Sequence, residues 1–403
     1  MSMPAKKKSR SKIWFIVHGW LALPIWVFAL LVCVTGTLAV ISQEIVWLAN
    51  PDIRARAPSA DAEPLSYQQV LDALRAQDPK MAVQNLRKPE ESHFALSARV
   101  SYPDSSLATL YVNPYTGAIQ GRSPNFDFPN FTRALHGWWL VPFTHGYSWG
   151  WYMVCLLGPL MLASLITGLV VYKRFWRAFF SPKLRFNQGA RIFWGDFHRL
   201  SGVWSIWFIA VISVTGTWFL IQAILSDLDL RITPFETPVV IARDALPVDP
   251  SGQAPVPLDL DRATRIAEQA IPGLDVTSIS LPSDAYGHLT LSGTDWYPLM
   301  LQSASLNPYD GSVGDTYLKS DRPLLDFVID SMYPLHFGDF GGLWVKLIWF
   351  FFGLLLSFMV LSGLLIWTKR TAQATAKQLK KVRAPRRSLQ AGAAGKDTVE
   401  QNA

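Results

Sequence analysis

Four apolar runs, nearly free of charge, interrupt an otherwise mixed sequence: residues 13–41, 149–172, 200–225 and 347–367. Each exceeds the roughly 20 residues a helix needs to cross a bilayer, so the pattern predicts four membrane spans. The first run is also far longer than the roughly 7–15-residue apolar core of a cleaved leader. The two long stretches between the spans, about 42–148 and 226–342, follow another rhythm. Leu65-Ser-Tyr-Gln-Gln-Val-Leu-Asp-Ala-Leu has the apolar spacing of an amphipathic helix, and Phe94-Ala-Leu-Ser-Ala-Arg-Val and Leu110-Tyr-Val alternate as strands do. The later stretch repeats this with a helix from Leu260 and strands at His288-Leu-Thr-Leu-Ser and Ala304-Ser-Leu. Asn113-Pro114-Tyr115-Thr116-Gly117 and Asn307-Pro308-Tyr309-Asp310-Gly311 are turn sequences, with Pro fixing one dihedral and Gly free to take a positive φ. A turn between two alternating runs predicts a hairpin in each stretch.

The spans repeat as well. His18-Gly-Trp leads through an apolar run to Val34-Thr35-Gly36-Thr37, and His198-Arg-Leu-Ser-Gly leads to Val214-Thr215-Gly216-Thr217, both with 17 residues from His to the first Thr. Leu135-His136-Gly precedes the run ending Thr167-Gly168-Leu169, and Leu335-His336-Phe-Gly precedes the run ending Ser362-Gly363-Leu364. The chain therefore reads as a duplication of span, small α+β domain, span. The expected fold is a four-helix membrane bundle of two internal repeats with two small α+β domains outside. Its parts are a basic N-terminus 1–12, spans at 13–41 and, with a leading histidine segment, 136–172, a basic loop 173–197, a third span 198–225, and a fourth with its histidine segment 335–368. The outer domains fall at 42–135 and 226–334, and 369–403 reads as a basic, disordered cytoplasmic tail.

Composition adjusts this picture in two places. Half the residues are hydrophobic and the mean hydropathy is +0.18, too apolar for a soluble chain of 403 residues and too polar for one wholly in lipid. The net charge of +7 is distributed by topology. Lys6, Lys7, Lys8, Arg10 and Lys12 precede span one; Lys173, Arg174, Arg177, Lys183, Arg185, Arg191 and Arg199 separate spans two and three; Lys369, Arg370, Lys377, Lys380, Lys381, Arg383, Arg386 and Arg387 follow span four. Basic segments stay in the cytoplasm, which places both termini there and both α+β domains on the far side of the membrane. The basic tail then faces anionic membrane lipid rather than nucleic acid.

Both cysteines, Cys33 and Cys155, fall inside spans, so neither can staple the outer domains. No CxxC, CxxCH, P-loop, GxGxxG or HExxH sequence is present, which removes thiol redox, covalent haem, nucleotide and zinc-protease chemistry. What remains is histidine. Four of the seven stand at the mouths of the spans, and intramembrane ionisable groups are functional candidates by default. His18 and His198 should face each other near the cytoplasm, and His136 and His336 on the outer side. Two neutral imidazoles on facing helices are the axial ligands of a six-coordinate b-type haem. Two haem b groups are therefore expected, with Gly19 and Gly202 giving room for a flat macrocycle and Arg199 and Arg191 available to the propionates. His145, nine residues after His136, is a rival outer ligand. His93 and His288 read as ordinary strand residues. Tyr333, Asp326, Asp330 and Asp339 surround His336 and could bind a ferric complex or be solvated.

The layout, the histidine openings, the Thr-Gly and Ser-Gly span ends and the Asn-Pro-Tyr-x-Gly turns together resemble the PepSY-associated transmembrane family over roughly residues 12–370. These are iron-regulated inner-membrane proteins that include siderophore-iron reductases of the FoxB type. The resemblance implies an oxidoreductase that passes electrons from a cytoplasmic or quinol donor to a ferric siderophore. A sensor that binds partners through its outer domains, and a siderophore or iron permease, are the competing expectations.

Overall fold

The computed structural model describes residues 10–22, 26–89, 91–172, 175–230, 239–246 and 258–383. Lys6, Lys7, Lys8, Lys173, Arg174, Arg386, Arg387 and the tail from residue 384 lie outside the described residues.

Among the described residues, three helical stretches are long and apolar enough to cross a membrane: Trp149–Val171, Ile206–Asp227 and Gly342–Thr368. The first expected span is instead a bent pair, Ile13–Leu21 and Trp26–Val40, angled by 62°. The sequence between them includes Pro24, which lies outside the described residues. In chain order the helices on this first side are α1 (Arg10–Ala22), α2 (Trp26–Val40), α3 (Ser42–Ala49), α4 (Tyr67–Gln77), α5 (Phe128–Trp138), α6 (Trp149–Cys155) and α7 (Leu157–Val171). Those that follow are α8 (Phe175–Phe180), α9 (Ala190–Trp204), α10 (Ile206–Asp227), α11 (Leu260–Ala270), α12 (Leu324–Phe337) and α13 (Gly342–Arg383). The histidine segments are thus helices of their own, α5 and α12, that precede the spans rather than continue into them. Helix α13 runs on to Arg383, so the expectation of disorder from residue 369 is corrected for residues 369–383. That stretch is rich in Lys, Ala, Gln and Arg, all good helix formers, and the first proline after it is Pro385.

The spans cross where small residues let backbones meet. A side chain at Gly158 of α7 would lie 2.5 Å from the Thr217 nitrogen of α10, and one at Gly216 would lie 3.6 Å from the Gly158 Cα. Close approach of this kind is how helices associate where no hydrophobic effect drives them.

Outside the bundle, the expected amphipathic helices are α4 and α11, and each outer stretch contributes four strands. In the first these are β1 (Ala82–Arg87), β2 (Leu96–Ser101), β3 (Leu107–Val112) and β4 (Ile119–Arg122). In the second they are β5 (Asp275–Ser280), β6 (Leu289–Thr294), β7 (Gln302–Leu306) and β8 (Val313–Tyr317). Two separate small domains are expected from the sequence; the structure joins them in one antiparallel sheet of order β4-β3-β2-β1-β5-β6-β7-β8. The seam pairs Asn85 with Ser280, Leu86 with Ile279 and Arg87 with Ser278. Each lobe alone would expose a strand edge with Leu86 or Ile279 beside it, and pairing the edges removes that liability. One core then serves both lobes, with Val70, Leu74, Leu86, Ile279, Leu291 and Leu306 fully buried.

The helices above the seam cap one another. Ser66 Oγ donates to Asp261 Oδ2 at 2.6 Å, and the Gln68 amide donates to Asp261 Oδ1 at 3.1 Å. In return the Leu260 amide donates to Gln68 Oε1 at 2.9 Å. Asp261 therefore satisfies orphan donors at the start of α4 while Gln68 does the same for α11.

Candidate functional site: two histidine pairs

Each of the four span-mouth histidines is held by a helix that follows or precedes it within the same half of the chain. His18 on α1 places Nδ1 3.1 Å from the Ser164 carbonyl and 3.0 Å from Thr167 Oγ1, both on α7. His198 on α9 places Nδ1 3.0 Å from the Met359 carbonyl and 3.1 Å from Ser362 Oγ, both on α13. His136 on α5 reaches back to the Val32 carbonyl of α2 at 2.9 Å. His336 on α12 reaches back to Thr215 Oγ1 of α10 at 2.8 Å.

These contacts fix the tautomer. A carbonyl only accepts, so Nδ1 of His18, His198 and His136 must carry the proton. The Thr215 hydroxyl gives its own proton to the Val211 carbonyl at 2.8 Å, so it too accepts from His336. All four rings are therefore Nδ1–H imidazoles with the Nε2 lone pair left over. That is the form in which histidine binds a metal, its other nitrogen tied to an oxygen that orients the ring.

The Thr-Gly and Ser-Gly span ends, read from sequence only as repeat markers, are the cradles of these rings. A Cβ at Gly36 would sit 2.6 Å from Cε1 of His136. At Gly363 it would sit 3.3 Å from Cε1 of His198, and at Gly168 3.5 Å from Cε1 of His18. For His18 and His198 the span end supplies both a hydroxyl acceptor and a glycine against which the imidazole lies, whereas His136 meets Gly36 but not the Thr35 hydroxyl, and His336 meets the Thr215 hydroxyl but not Gly216. Gly19 has open space where a side chain would be, and a side chain at Gly202 would meet Met359 Sδ at 3.4 Å.

Within each half the histidines are held; between halves they are paired. The rings of His18 and His198 have centroids 6.5 Å apart, and those of His136 and His336 are 6.1 Å apart. A metal ion about 2 Å from one nitrogen of each ring, with a ring radius of about 1.1 Å, puts two centroids about 6 Å apart. Among the described residues no group of three or more His, Cys, Asp or Glu could hold a metal ion. Each pair thus offers two imidazoles and no third protein donor. That set suits an iron whose four equatorial positions are filled by a macrocycle.

The outer pair opens on a cavity of about 280 Å³ between the spans. Trp138, Trp151, Phe219, Arg133 and Lys346 are among the residues that line it. His145 is exposed on the loop between α5 and α6, and among the described contacts none joins it to His136 or His336. At the cytoplasmic end Arg199 hydrogen-bonds Asp196 in its own helix. Asp196 also takes a forked contact from Arg185 at 2.8 and 2.9 Å, and these hydrogen bonds, Arg185's first, hold its carboxyl at about 2. Arg199 therefore already has an anionic partner beside the inner pair. Of the acidic residues around His336, Asp330 accepts from Tyr317 Oη at 2.5 Å, Asp326 is buried, and Asp339 approaches Lys346. His93 stacks edge-on against Trp47, and His288 abuts β6 with Nδ1 buried.

A polytopic membrane bundle that carries a double-lobed sheet and two histidine pairs is the class defined by this geometry. Residues 15–370 match the PepSY-associated TM region, and the chain belongs to that family. No curated protein matches the chain.

Proposed function

We propose that the chain is a di-haem b oxidoreductase of the bacterial inner membrane, built as a duplication, with both termini in the cytoplasm and the sheet in the periplasm. One observation carries the reading: two cross-paired sets of imidazoles, each ring locked as the Nδ1–H tautomer, with spacings of 6.5 and 6.1 Å that fit one metal between them. His18 and His198 would hold the inner haem, and His136 and His336 the outer one. Bound there, a haem supplies one-electron carriage without an open position for O₂ or substrate.

The chain's own residues account for the rest. Thr167, Ser362, Val32 and Thr215 keep each Nε2 basic and aimed by holding Nδ1–H. The outer cavity brings the second pair within reach of the periplasmic side. The orientation rests on the basic segments on one side of the spans. The acceptor follows the resemblance to siderophore-iron reductases: ferric iron in a siderophore, released as Fe²⁺ from a chelator that favours Fe³⁺. The donor is a cytoplasmic or quinol reductant.

Dithionite-reduced protein, freed of excess reductant and kept from air, is expected to be reoxidised by a ferric siderophore. Two Fe²⁺ per chain should appear in a ferrous-specific chelator at the matching rate, one electron from each haem. Protein that stays reduced with ferric chelates yet is reoxidised by a quinone would move the chain to the quinone-linked membrane cytochromes.

A further inference from the structure

The outer cavity is lined unequally by the two halves of the chain. On one side Lys346, only 8% exposed, places Nζ 3.2 Å from Glu44 Oε1 and 3.7 Å from Asp339 Oδ1. Lys346 lies in the first turns of α13 and Glu44 on α3, so the pair ties the outer ends of spans one and four together. The second carboxylate oxygen of Glu44 is buried without a hydrogen-bond partner.

The repeat-related positions carry no such charges. Lys346 stands 17 residues before Gly363, and the same step back from Gly168 reaches Trp151. Glu44 stands 8 residues after Gly36, and the same step from Gly216 reaches Ile224. The junction between the halves that holds an ion pair therefore has, at the repeat-related positions, a tryptophan and an isoleucine, and Trp151 lines the same cavity. Packing at this junction does not require ions. A buried ion pair is also no more stabilising than a well-packed apolar pair, and often less. What the ions add that Trp and Ile do not is an electric field in a poorly screened space.

We infer that Lys346 and Glu44 set the reduction potential of the group held by His136 and His336. The inference rests on the di-haem reading. The Lys346 ammonium favours the electron on the outer group, and the Glu44 carboxylate opposes it. Neither side chain touches the imidazoles in the described contacts; both are positioning residues that act through charge alone. Arg133 shares the wall but is exposed, so water screens it more. The inner pair does not line this cavity and feels the field less.

Potentiometric titration of the two haems in purified full-length protein tests this. Lys346→Met is expected to lower the outer potential by about 59 mV, a tenfold shift of a one-electron equilibrium, and Glu44→Gln to raise it by a similar amount. Lys346→Arg should stay near wild type, and the double variant Lys346→Met with Glu44→Gln should fall between the singles. The inner potential should not move in any of them. Should Lys346→Met lose the outer haem, the sign of the Glu44→Gln shift decides alone. Shifts of the same sign in both singles, or unchanged potentials with both haems retained, overturn the inference. Wild-type protein without an outer haem would instead overturn the di-haem reading beneath it.

Discussion

His336→Ala protein is expected to purify with half the haem of wild type, all of it at the inner pair. The same holds for His136→Ala, whereas His18→Ala and His198→Ala should keep only the outer haem. On the di-haem reading each substitution would remove one of the two imidazoles that hold a haem, leaving it a single protein ligand. Loss of a mere hydrogen-bond partner behind a metal-binding histidine weakens binding by about 10–100-fold. Loss of the ligand itself should cost more and empty the site during purification. The pairing makes a sharper forecast than the loss alone: a variant at one histidine must empty the same site as its cross-half partner. His145→Ala should retain both haems, because the exposed loop keeps that ring away from the pair. If His145→Ala loses the outer haem while His136→Ala keeps it, the outer ligand has been assigned to the wrong residue.

Gly36→Val should be nearly as damaging to the outer site although it removes no ligand. Its Cβ would fall 2.6 Å from Cε1 of His136, well inside contact, and the helix backbone cannot retreat from α5 without moving span one. The imidazole would have to leave its contact with the Val32 carbonyl, and with it the orientation that exposes Nε2. Overpacking of this kind costs about 1–3 kcal/mol of stability, so the protein should still fold. The expected outcome is a chain with its inner haem intact and its outer haem lost or converted to a high-spin spectrum. Unchanged spectra would mean that Gly36 is only a packing residue.

Much of this was legible in the sequence, and the reason lies in its repeats. The spans announced themselves by length and apolarity, and the pairing of His18 with His198 and of His136 with His336 followed from equal spacing in two halves. The bend in span one was less visible, because hydropathy is blind to the direction of a helix axis. Disorder in residues 369–383 was the natural reading of a basic tail, yet Ala, Gln, Arg and Lys without proline favour a helix, and that propensity won.

The joining of the outer lobes could not be seen. Strands β1 and β5 are short, with polar residues such as Asn85 and Ser278 between the apolar ones, and their partners lie nearly 200 residues apart in the chain. Only the buried Leu86 and Ile279 hint that both faces of the seam matter. The cradles were half seen: Thr35-Gly36 and its counterparts stood out as repeats, but sequence order gave no sign that they grip the histidines of a neighbouring helix. The Glu44–Lys346 pair was missed because the spans were judged by their uncharged middles, and this pair sits at their outer ends.

The most direct measurement is a pyridine haemochrome assay on purified full-length protein, read with its reduced-minus-oxidised optical spectrum and its low-temperature EPR. The account predicts two haem b per chain, both low-spin with nitrogen on each axial side. A chain that binds no haem, or a single haem that survives alanine at all four paired histidines, would contradict it.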